Sequence, residues 1–263
     1  TEGEKMASVY ERAQLPDADA DSLLAEAARI EKKLKNVYPF FVPYAQKENY
    51  AALTEGVKDW AITCSADWRA AVASRSGFEG QTLHLTNDID MKGVAYSNNA
   101  TVPFAGTFDG QGYSIFNMCS KTSSVDMTGG FFGELFGTNG NGVEVEGAVL
   151  KNISFVNATV WGKGAFLAMN GSGTLENVFV YCTVKDLVAD VNDPNPWYYS
   201  TSVLFNKGKW YLTADKVIVE YAEPLTDNNG WGYAVGFPDN VGEFDNFYVV
   251  GADQYYGQIG PYS

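Results

Sequence analysis

Asp88 and Asp90, separated by Ile89, are the first side chains here whose type and spacing could do chemistry. On an extended strand they point to the same side, about 6.5–7 Å apart. That separation suits a Ca2+ site built from hard oxygens, or an acid/base pair of the kind that cleaves sugars. Asp109 lies further along the same region. Asp190, Asn192, Asp193 and Asn195 make a second oxygen-rich run. It lacks the glycine and terminal glutamate of a twelve-residue calcium loop and reads as a plain loop. His84, the single histidine, alternates with Leu83 and Leu85 and is expected to face outward from a strand. One histidine cannot build a histidine metal cluster. The chain has no nucleophile elbow, Walker loop or dinucleotide fingerprint, and Gly110-Gln111-Gly112 reads as a turn. No catalytic residue is assigned.

Aromatic side chains offer a second kind of chemistry. Trp197-Tyr198-Tyr199 follows a Pro-containing insertion, and Trp210, Trp231, Tyr233, Tyr255 and Tyr256 come later. Exposed rings give a sugar apolar contact beside polar groups. The same rings could instead cover the C-terminal end of a stacked fold. Trp197, Tyr198, Tyr199, Trp231 and Tyr233 are the candidate glycan-contact residues.

Composition narrows the function classes. Eighteen basic and thirty-two acidic residues leave a net charge of −14, which repels phosphate backbones, so no nucleic-acid partner is expected. Most of that charge, net −12, falls in residues 59–263. Cys64, Cys119 and Cys182 are far apart and have no metal-ligand spacing. No apolar run reaches membrane-spanning length, and no export signal is visible. Thr1 is not an initiator Met, so a processed chain is expected.

Positioning these residues falls to two kinds of element. Residues 19–37 read as a helix, with Asp19 and Asp21 at its start and Lys32, Lys33 and Lys35 in its last turns. Leu23, Ala27, Ile30, Leu34 and Val37 make a heptad-like seam that could pack on its own domain, or pair with a second helix or with copies of itself. Pro39 ends it. A short helix, residues 65–74, and a strand, Gln81-Thr82-Leu83-His84-Leu85-Thr86, follow.

From there the chain repeats itself. Leu150-Lys151-Asn152-Ile153-Ser154-Phe155, Leu175-Glu176-Asn177-Val178-Phe179-Val180, Ala214-Asp215-Lys216-Val217-Ile218-Val219 and Phe244-Asp245-Asn246-Phe247-Tyr248-Val249 align without gaps. Ile115-Phe116-Asn117-Met118 reads as an earlier partial copy. A second motif precedes each copy: Gly130–Gly137, Gly164–Gly171, Ser202–Gly208 and Gly232–Phe237. Variable spacing around a constant strand pattern implies variable loops on stacked, mutually dependent units. Asn117, Asn152, Asn177 and Asn246 then form an amide ladder, with Lys216 expected to distort its own repeat. Cys182 aligns with Ala158 and Gly251 and is expected to be packed inside. The fold class is mainly β, a parallel β-helix with a small α-helical N-terminal segment. Residues 1–58 form a helical appendage or linker. Residues 59–263 form the β-helix domain, and helix 65–74 caps it.

The stretch from Ile62 to Phe116 resembles the lead-in of bacterial, Bacteroidetes-type cell-surface right-handed β-helix proteins. It does so through Gly80-Gln81-Thr82-Leu83-His84-Leu85-Thr86-Asn87-Asp88-Ile89-Asp90-Met91 and Phe104-Ala105-Gly106-Thr107-Phe108-Asp109-Gly110. Gly130–Gly137 and Gly164–Gly171 are similar to the GLUG-type repeats of those proteins, although Phe-Phe and Ala-Phe-Leu replace Gly-Leu-Val-Gly. The resemblance implies a right-handed coil, an extracellular or cell-surface location and a non-catalytic adhesion role contacting glycans. It also implies a turn role for Asp88 and Asp90, whose carboxylates would bond backbone amides. Two other readings stay open. One is a fibre or capsid-decoration protein of a phage, with helix 19–37 as the oligomerising element. The other is a polysaccharide lyase or glycoside hydrolase.

Overall fold

The computed structural model describes residues 5, 8, 9, 11, 12, 15, 17, 19–37, 58–73, 77–96, 104–121, 130–135, 137–138, 144–145, 148–161, 164–185, 201–225, 232–238 and 243–252. Helix α1 spans Ala20–Val37. Asp19 caps it, accepting the Ser22 amide on Oδ1 at 3.3 Å. Leu23 and Ile30 of the heptad-like seam are buried against Val9, with Ala27 packed beside them. An ion pair from Arg12 to Glu26, 2.7 Å, ties the same segments together at the surface. The described part of the seam is thus covered by the chain's own preceding segment.

The rest is mainly β. The strands are β1 (Asp59–Ile62), β2 (Thr82–Leu85), β3 (Ile89–Asp90), β4 (Ala95–Tyr96), β5 (Thr107–Asp109), β6 (Ser114–Phe116), β7 (Cys119–Lys121), β8 (Gly133–Leu135), β9 (Gly137–Thr138) and β10 (Glu144–Val145). Then come β11 (Val149–Trp161), β12 (Gly164–Ala165), β13 (Ala168–Lys185), β14 (Thr201–Leu225), β15 (Gly232–Pro238) and β16 (Phe244–Ala252). Fourteen of them form one sheet, and every pairing described in it is parallel. Only β9 and β10 stand apart, as an antiparallel pair. Helix α2 (Ser65–Ala73) follows β1. Buried Asp67 reaches back to the Thr63 amide (2.7 Å) and hydroxyl (2.5 Å), fixing the strand-to-helix turn.

Register explains why the repeat pattern works. Trp60, Leu83, Phe108, Leu150, Leu175, Ala214 and Phe244 succeed one another across the sheet. All but Phe244 are buried. Ile115, Phe155, Val180, Val219 and Val249 make a second inward row. Side chains alternate along each strand, so the polar residues between these positions face out. The second motif supplies a third inward set: Phe131, Phe132, Phe166, Leu167, Val203, Leu204 and Phe205 are all buried. Phe131-Phe132 and Phe166-Leu167 are thus core volume. Trp68 of α2 stacks on Phe131 with ring centroids 4.0 Å apart and meets Phe108 and Phe132 edge-on. Each such side chain, fully buried, contributes about 1.5–3 kcal/mol.

Between the first and second rows the chain turns at one left-handed residue. Asn152, Asn177, Lys216 and Asn246 occupy equivalent positions with φ of 52°, 54°, 55° and 49°. Asn tolerates this conformation better than other side chains. Its amide also bonds along the sheet. Asn177 Nδ2 donates to Asn152 Oδ1 (3.2 Å), and Asn152 Nδ2 donates to Asp109 Oδ1 (3.2 Å). Asn246 Nδ2 donates to Asp215 Oδ1 (2.9 Å). The ladder expected from sequence is present, with two corrections. Asn117 does not belong to it. Phe116 pairs with Val156 and Cys119 with Thr159, which sets Asn117 beside Asn157 at the next corner, where both have positive φ. The β11 repeat carries an Asn followed by an apolar residue at both corners, Asn152-Ile153 and Asn157-Ala158, and Asn117-Met118 matches the second of these rather than the first. In the preceding repeat Gly110 stands against Asn152, where an added Cβ would be 2.5 Å from the Asn152 carbonyl oxygen, and the left-handed residues are Gln111 and Gly112. Second, Lys216 does not distort the backbone. Its neighbours Asp215 and Val217 stay in register on both sides. Only the amide column is interrupted, as Lys216 Nζ turns to Asp215 Oδ2 at 3.1 Å.

Lys216→Asn is therefore expected to stabilise the chain. It relieves a strained left-handed lysine and returns an amide between Asn177 and Asn246, a gain of about 1 kcal/mol. Urea unfolding should show a higher midpoint for Lys216→Asn and a lower one for Asn177→Ala. An unchanged or lowered midpoint in Lys216→Asn would contradict the ladder account.

Candidate functional site

Two outer faces flank the asparagine corner. The first carries the residues that alternate with the Leu83–Phe108–Leu150 row. Nearest the strand starts stand Thr82, Thr107, Val149, Thr174 and Thr213 in successive register. Thr213 and Thr174 share a hydroxyl hydrogen bond of 3.1 Å. Two residues on, the row reads His84, Asp109, Lys151, Glu176, Asp215, Asp245. Adjacent strands lie about 4.8 Å apart, so these charges interact along the row.

The charges differ in how they are held. Asp109 is half-buried; its Oδ2 lies 3.4 Å from Lys151 Nζ, and its Oδ1 accepts Gln111 N (2.9 Å) and Asn152 Nδ2. Asp215 is more open, its side chain 41% exposed, and the hydrogen bond from Asn246, followed by Lys216, holds its carboxyl below the usual range. His84 faces out as expected but is half-buried. Burial lowers its pKa, while Asp59 and Asp109 pull the other way. The face thus offers hydroxyls at one side and a mainly anionic row at the other.

The second outer face changes character along the sheet. Its row begins with Ser114 and Ser154 and continues as Phe179, Ile218 and Tyr248. A parallel row runs Tyr181, Glu220, Val250. Ile218 is 37% exposed, Val250 48% and Tyr248 56%. Aliphatic and aromatic surface is therefore open to solvent beside the charged face, one corner away. This patch is absent from the residues that sequence reasoning selected. Its signal was there: Val178-Phe179-Val180-Tyr181 and Phe247-Tyr248-Val249-Val250 are apolar at every position, and in a strand that places apolar side chains on both faces.

Asp88 and Asp90 are exposed and occupied by the backbone. Asp88 Oδ1 accepts the Ser114 amide at 2.8 Å. Asp90 Oδ1 accepts the Asn117 side-chain amide at 2.9 Å and the Lys92 amide at 2.8 Å. Those bonds, Asn117 first, hold the Asp90 carboxyl below its usual pKa. Among the described residues no group of three or more His, Cys, Asp or Glu side chains gathers as a metal site. Trp197, Tyr198, Tyr199 and Trp231 lie outside the described residues, as do the 190–195 loop, Tyr255 and Tyr256. Tyr233 of β15 pairs with Ser202 of β14, its side chain outside the described set.

Cys182 faces inward, in register with Ala158 on one side and Tyr221 on the other. The column expected to hold small residues thus also holds a buried tyrosine ring, with Gly251 against the Tyr221 carbonyl. Burial pushes the Cys182 thiol up to about 12 and the Tyr221 hydroxyl well above its ordinary value. Neither is a nucleophile at neutral pH. Among the described residues no helix is long and apolar enough to cross a membrane. The chain matches no protein-family model, no curated protein and no solved structure.

Two outcomes follow. A thiol reagent at neutral pH should modify exposed Cys64 in the native chain and reach Cys182 only after unfolding. Native labelling of Cys182 as fast as Cys64 would refute the inward placement. His84 gives a pH dependence. The folded chain holds that proton more weakly than the unfolded chain, so stability falls as pH drops through about 6.5 and below. Asp90 and Asp215 add losses only under more acidic conditions, as their lowered carboxyls protonate. His84→Gln should flatten the decline in urea midpoint between about pH 7 and 5. An equally steep decline in the variant would exclude His84 as its source.

Proposed function

We propose that residues 59–263 form a right-handed parallel β-helix serving as a non-catalytic surface or adhesion module, one that contacts glycans through its outer faces and loops. The coil reading rests on two features. Each repeat pairs in parallel with the next, and a left-handed residue turns the chain at one register position in four successive repeats. Right-handedness follows the rule that holds for about 98% of parallel crossovers. The resemblance to cell-surface GLUG-type proteins supports an extracellular setting.

One observation carries the glycan reading: an open apolar row, Phe179–Ile218–Tyr248, stands one corner from a row of hydroxyls and carboxylates. A sugar ring presents the matching pair of surfaces, a C–H face and an edge of hydroxyls. The net charge of −14 favours neutral or basic ligands over acidic ones. Asp88 and Asp90 each direct one oxygen to the backbone, and a calcium ion there would use the others.

The test is binding of the full chain to a broad glycan and polysaccharide array, with and without Ca2+. It is run beside Tyr248→Ala and the double variant Trp197→Ala, Trp231→Ala. An aromatic contact is worth about 0.5–1.5 kcal/mol, so each lost ring should weaken binding roughly two- to tenfold with the circular dichroism spectrum unchanged. No glycan bound by the parent chain would remove this reading and leave a structural, fibre-like role. Release of reducing ends from a bound polysaccharide would replace it with an enzymatic one.

A further inference from the structure

We draw no further inference here: the strongest candidate, the side of β16 away from β14 with half-buried Phe244, Phe247 and Val249, carries nothing because nothing among the described residues shows what covers it.

Discussion

The left-handed corner residue is the constraint on which the rest of the fold depends. A strand that turns at one residue needs a positive φ there, which costs most L-amino acids about 1–2 kcal/mol. Asparagine lowers that cost locally, and its amide bonds to the preceding repeat, as Asn177 does to Asn152 and Asn152 does to Asp109. Backbone conformation and side-chain ladder therefore specify the same register. A slip of one residue would invert every strand, sending Leu175 outward and Glu176 inward. The corner is what makes such a slip costly.

The interior shows how repeats of unequal composition fill one core. Toward the N-terminal side the volume is aromatic: Trp68, Phe108, Phe131, Phe132, Phe155 and Phe166 interlock through stacked and edge-on contacts. Trp68 Nε1 is buried with no hydrogen-bond partner among the described residues, at a cost of about 1–3 kcal/mol that its ring contacts must offset. On β14 the first and second inward rows carry Ala214 and Val219, with Val217 between them, and the bulk moves to Phe205 and Tyr221. Gly171 shows the exchange directly, since an added Cβ there would overlap the Phe205 ring. Volume is conserved across neighbouring strands rather than position by position, as dense packing requires.

The repeat was legible in sequence because the inward positions recur with period two, and because asparagine marks the turn. Helices Ala20–Val37 and Ser65–Ala73 and strand Thr82–Leu85 fell within two residues of their expected spans, since caps and alternation act locally. The assignment of Asn117 failed for a physical reason. Both corners of the β11 repeat take the same left-handed conformation, so Asn152-Ile153 and Asn157-Ala158 look alike, and only pairing tells them apart. Lys216 failed the other way: composition suggested distortion, but register with both neighbouring strands outweighs one residue's conformational preference. The open apolar row was missed because Ile218 and Tyr248 look like core residues until the inward set is fixed.

That row also bears on how an acidic chain presents itself. Carboxylates stacked at strand spacing repel, and the chain reduces the cost by interleaving Lys151 and by spending carboxylate lone pairs on corner amides. Toward its C-terminal side the second outer face has little charge to manage: among Phe179, Ile218, Tyr248, Tyr181, Glu220 and Val250 only Glu220 is ionisable at neutral pH, while Asp90 stands at the other end, in register with Phe116. Desolvation is therefore cheapest on the apolar part of the second face, while the first stays hydrated. A ligand that buries the apolar row need strip water from few charges, and can still reach hydroxyls and carboxylates across the corner. In the proposed β-helix, affinity would then come from the second face and selectivity from the first, with the asparagine column fixing the angle between them.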